Sequence, residues 1–139
     1  MTTPDIAALR QLAARVLVNK AGPDADAASV AIAARRRFEE LAGVLTLLIG
    51  QVGIDALAAR ALHLAQREYP CLGKTRNPEQ VEGPLIDVRM SLEHQEPGLA
   101  TEAAAAVLAQ FTALLVTMIG EPLTVRLMRQ AWPDGFSDA

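Results

Sequence analysis

The chain reads as all-α, a bundle of about five helices in which two repeated helix–glycine–helix hairpins follow an N-terminal helix. Three observations predict this. Apolar residues recur every three or four positions, the spacing of one helix face, and no run alternates apolar and polar residues as a half-buried strand does. Alanine and leucine dominate while aromatic residues are only 4% of the chain, a composition that suits helices packed closely on one another. Residues 41–62 also resemble residues 108–128. An offset of 67 lays Leu41, Val44, Leu47, Leu48, Val52 and Gly53 on Leu108, Phe111, Leu114, Leu115, Ile119 and Gly120. With one residue dropped, Asp55, Leu57, Arg60 and Leu62 fall on Glu121, Leu123, Arg126 and Met128. Both stretches end in an aromatic–proline pair, Tyr69-Pro70 and Trp132-Pro133.

The elements follow in order. Thr3 ahead of Pro4 is a helix start, a hydroxyl cap before proline at the first helical position. Ile6, Leu9, Leu12, Ala13, Val16 and Leu17 make the first apolar stripe, which Gly22 and Pro23 close. Asp24 or Asp26 caps a long second helix that runs to about Val52. Its stripe is Val30, Ala34, Phe38, Leu41, Leu45, Leu48 and Val52. Arg35, Arg36 and Arg37, followed by Glu39 and Glu40, read as a solvated face. The second half of this helix is apolar nearly all round and belongs inside the bundle. A third helix runs from about Asp55 to Tyr69 and stops at Pro70. Residues 70–98 form an irregular connection, punctuated by prolines and glycines, whose Leu85, Ile86, Val88, Met90 and Leu92 suit either a short helix or an extended segment. The fourth helix spans about Leu99 to Ile119 and the fifth about Pro122 to Ala131.

Residues 1–139 make a single helical domain, with repeat units at about 41–70 and 108–133. That length buries a core without a disulfide or metal staple. The net charge of −3 gives no broad attraction to nucleic acid or to an anionic membrane. A lone Cys71 excludes an intramolecular disulfide and fits a reducing cytoplasm. The opening residues lack the basic-then-apolar pattern of a signal peptide. Ala103 to Gly120 is 18 residues without a charge, at the lower limit for a membrane span. Its alanines, with Gln110, Thr112 and Thr117 inside it and Glu121-Pro122 closing it, favour a buried core helix. The matching run from Leu41 to Ile54 is too short to span.

No catalytic or ligand motif stands out. Arg60 and Arg126 are the charged residues the repeat singles out, each among apolar neighbours. They read as a structural pair, tied to Glu40 and Glu102 or to Asp55 and Glu121 one turn upstream, or else as two symmetric anion-binding groups in a cavity between the hairpins. That cavity would hold an apolar ligand with an acidic headgroup. His63 and His94 lack further ligands at zinc spacing, and neither pairs with Cys71 in a recognisable catalytic signature. The sequence therefore calls for no cofactor and no metal. Gly50-Gln51-Val52-Gly53 lacks the lysine and preceding strand of a phosphate loop. The expected function is non-enzymatic: a self-associating interaction or regulatory module whose partner is a second copy or another protein, with no nucleic acid or membrane. Val107, Phe111, Leu114, Leu115 and Met118 on the fourth helix are the expected interface, since a five-helix monomer has little left to cover both this face and the small-residue face opposite.

Overall fold

The fold comes from a computed structural model that describes residues 6–22, 24–73 and 95–136. Among these residues the chain is all-helical, with four helices and no strand. They are α1 (Ile6–Ala21), α2 (Ala27–Gln66), α3 (Pro97–Ile119) and α4 (Glu121–Ala131), with short 3-10 turns at Pro70–Gly73 and Pro133–Phe136. The Thr3-Pro4 helix start and the segment from Lys74 to His94, with Leu85, Ile86, Val88, Met90 and Leu92, lie outside the described residues. Of the two candidate caps, Asp26 begins α2: its carboxylate accepts a hydrogen bond from the Ser29 amide at 2.8 Å, which satisfies one of the orphan donors of the first turn.

The expected second and third helices are one element, interrupted at Gly50, where φ is 74° and ψ 165°. Gly120, between α3 and α4, has φ 91° and ψ 155°. Side chains rarely tolerate this conformation, and glycine takes it freely. Gly50 therefore shares its conformation with Gly120, 70 residues on, while Gly53 stays helical. At this offset Val30, Ala33, Phe38, Leu41, Leu45, Ile54, Ala58 and Leu62 are buried, and so are Ala100, Ala103, Leu108, Phe111, Leu115, Thr124, Met128 and Trp132. Exposed positions match too: Leu47, Leu48 and Val52 correspond to Thr117, Met118 and Pro122. The first arm of α2, residues 27–49, is as long as the 23-residue α3.

α2 and α3 start together. Ala25, Val30, Pro97, Gly98 and Thr101 line one cleft with the end of α1. Further along, Phe38 and Phe111 meet edge to face with ring centroids 5.1 Å apart, a favoured aromatic geometry. The first arm of α2 and α3 therefore run side by side in the same direction. α1 packs along α3 and against α2. α3 lies at the centre, and residues 103–109 are buried without a break. An alanine-rich helix allows such close approach from several sides at once.

Gly50 and Gly120 are held by backbone conformation and not by crowding, since an added Cβ meets nothing within 4 Å at Gly50 and only the edge of Pro122 at Gly120. Gly50→Ala and Gly120→Ala should each cost about 1–3 kcal/mol. Gly43→Ala, in an open helical position, should instead stabilise by about 0.4–1 kcal/mol. Denaturant unfolding of the three variants checks both signs.

Candidate functional site

Two features of the surface and core stand apart from ordinary packing. One is polar and buried. Arg37 is only 4% exposed, although it belongs to the basic run expected to face solvent. It sits one turn beyond Ala33 and one turn before Leu41, on the buried stripe itself. Its Nε donates to the Val16 carbonyl of α1 at 2.9 Å. Nη1 reaches Glu40 at 3.2 Å and Nη2 reaches Asp134 at 2.5 Å. Asp134 also accepts from Asn19 at 3.1 Å, and the Trp132 indole donates to the Arg37 carbonyl at 2.8 Å. The guanidinium thus joins α1, α2 and the final turn. Burial pushes the Asp134 carboxyl up, but the hydrogen bonds from Arg37 and Asn19 and the Arg37 charge outweigh it, so the group titrates below its ordinary range. Every group here is occupied within the chain, and the arrangement is structural.

The other feature is apolar and open. Among the described residues the large apolar side chains left exposed are Val18, Ile32, Leu47, Leu48, Val52 and Met118. The last four lie within three positions of Gly50 or Gly120. Leu47 is 98% exposed and Val52 84%, so they stand proud of the surface. Each follows from a corner: the chain turns at a glycine, and side chains on the outside of the turn have no helix left to cover them. The surrounding polar groups are few. Gln51 donates to Asp55 at 2.9 Å. Asp55 is the only charge between Gly43 and Ala59, and Glu121 the only one between Phe111 and Val125. Both α2 and α3 are long and apolar enough to cross a bilayer, but the most apolar stretch of α3 is more than half buried in the fold, whereas that of α2 is mostly open.

The residues singled out from the sequence are placed differently. Arg60 and Arg126 are both exposed, and among the described residues neither has an ion pair. Glu40 is engaged by Arg37 and by Lys20 at 3.4 Å. Glu102 is exposed, and its charge adds to burial in pushing the Tyr69 phenol up, which sets the end of α2 beside the first turns of α3. Val107, Phe111 and Leu115 of the expected interface are buried inside the chain, Leu114 is half-buried and only Met118 is open. α1, α2 and α4 together cover both faces of α3, so the apolar excess expected there is core. His63 is exposed and His94 lies outside the described residues. Among those residues no group of three or more His, Cys, Asp or Glu is placed to hold a metal. The cleft at the start of α2 and α3 measures about 160 Å³, below the usual range of a ligand pocket, and neither Arg60 nor Arg126 lines it.

Comparison with protein-family models, curated proteins and solved structures finds no match to this chain.

The contrast between the three arginines is measurable. Arg37→Ala removes the bonds from the guanidinium to the Val16 carbonyl, Glu40 and Asp134, and should cost at least about 1.5–3 kcal/mol, the worth of a hydrogen bond from a charged donor. Arg60→Ala and Arg126→Ala should each stay within about 0.5 kcal/mol of the parent, as exposed unpaired side chains do; urea titration of the set separates them.

The pH dependence follows from Asp134. A carboxyl whose folded pKa is depressed contributes stability above its unfolded value, and that contribution disappears as pH falls through the folded value. Stability should therefore drop as pH goes from 5 to below the ordinary 3.8 of an aspartate. Asp134→Asn should be less stable at pH 5 and should lose less on acidification. Thermal melts of both proteins across this range test it.

Proposed function

We propose that this chain is a non-enzymatic helical interaction module, and that the open apolar end around Gly50 and Gly120 is its docking surface. One observation carries the reading: among the described residues four of the six exposed large apolar side chains, including the two most exposed, flank the two glycines. A soluble domain rarely leaves such a patch uncovered unless something binds there.

The arrangement is explained by two copies of one helix–glycine–helix unit, offset by 70 residues, with α1 laid across them. The support is the shared backbone conformation of Gly50 and Gly120, the equal length of the helices that lead to them and the matched burial on either side. Because the leading helices run in the same direction from a common cleft, the two corners fall at the same end of the bundle. Leu47, Leu48 and Val52 then join Met118 and Pro122 in one surface. A ligand-binding reading has no comparable support, since Arg60 and Arg126 are exposed and neither lines the cleft at the start of α2 and α3.

A photo-crosslinking residue tests the reading directly. Leu47→p-benzoylphenylalanine, at a fully open position, should leave the fold unchanged and give covalent adducts of increased mass on irradiation in cells. The same residue in place of Arg60 should give few. A protein that yields no adduct from position 47 under these conditions has no docking surface there.

A further inference from the structure

We infer that the occupant of this apolar end is a second copy of the chain, docked end to end through the glycine corners; the inference rests on the reading of that end as a docking surface. Leu47, Leu48, Val52 and Met118 offer an apolar patch on the order of 500 Å², at the upper end of what soluble monomers expose. Two such patches face to face bury at most about 1,000 Å², the size of a weak, reversible contact.

The shape of the patch supports a twofold pairing. The Gly50 corner protrudes, with Leu47 98% and Val52 84% exposed. At the matching positions the Gly120 corner carries Thr117 and Pro122, a smaller and more rigid pair beside Met118. A twofold axis lays the protruding corner of each copy on the flatter corner of the other, and buries both sets at once. This is the self-complementary contact that closed dimers use.

One alternative fits less well. An anionic membrane is disfavoured by charge: the corner residues supply Asp55 and Glu121 and no lysine or arginine, whereas attraction to such a surface comes from basic side chains.

Sedimentation velocity from about 1 µM to 1 mM measures the association. The parent should rise from 14.8 kDa toward twice that mass. Leu47→Gln with Val52→Gln should hold the monomer mass throughout and keep the parent's melting profile, because both side chains are solvent-exposed. Ile32→Gln, at another exposed apolar residue away from the corners, should dimerise like the parent. Irradiated Leu47→p-benzoylphenylalanine should join to a differently tagged second copy, in a peptide that contains the partner's Met118. A parent that stays monomeric to 1 mM overturns self-docking, as does a double variant that dimerises normally. If the crosslinker finds other proteins but never a second copy, self-docking fails while the docking surface stands. If it finds nothing, both fail. Flotation of the monomeric parent with phosphatidylcholine or phosphatidylserine vesicles, lost in the double variant, assigns the end to lipid and also overturns the proposal.

Discussion

The bundle depends on Arg37, the buried cation among the described residues. Removing a guanidinium from water is costly unless it is paired and hydrogen-bonded, and each of the three Arg37 nitrogens donates to a separate acceptor: the Val16 carbonyl of α1, Glu40 of α2 and Asp134 of the final turn. Its own carbonyl takes the Trp132 indole. Neither α1 nor the last turn can shift without leaving a charge unpaired in a dry place. The arginine therefore fixes where the N-terminal helix and the chain end sit on the central pair, which apolar packing of alanines alone specifies weakly. Gly135 completes the seat by pressing against Val16 and Leu12, with no room for a side chain.

Much of this was legible in the sequence, and the failures have a common physical origin. The all-helical class followed from periodicity, and the halves of the chain invited comparison because their apolar residues superpose. Yet offsets of 66 or 67 and the offset of 70 differ by three or four residues, which is one helical turn. A helix slipped by one turn still lays apolar on apolar, so the side-chain pattern cannot choose among these registers. Backbone conformation can: Gly50 and Gly120 share a region that other residues avoid, whereas Gly53 is an ordinary helical glycine. The identity of Ile49-Gly50 with Ile119-Gly120 is the sequence signal that favours the proposed offset of 70.

Arg37 was hidden by its neighbours. Three consecutive arginines point in three directions, and the run as a whole reads as solvated. The spacing Val30, Ala33, Arg37, Leu41, Leu45 is nonetheless an unbroken buried stripe, so the face it shares was the available signal. The reverse error befell Val107, Phe111 and Leu115, read as surplus surface. Their helix is small-sided enough for neighbours to close on it from all round. The apolar residues with nothing to cover them were instead those flanking the glycines, where the sequence predicted burial because it is apolar on every side. A corner exposes what a straight helix would bury.

A shared apolar surface requires both glycine corners to lie at one end of the bundle. Spin labels on Leu48→Cys and Met118→Cys, in a Cys71→Ser background diluted with unlabelled protein, measure this by pulsed electron resonance. A single distance well short of the roughly 34 Å length of a 23-residue helix is what the account predicts. A distance equal to or beyond that length puts the corners at opposite ends, and the shared apolar surface would not exist.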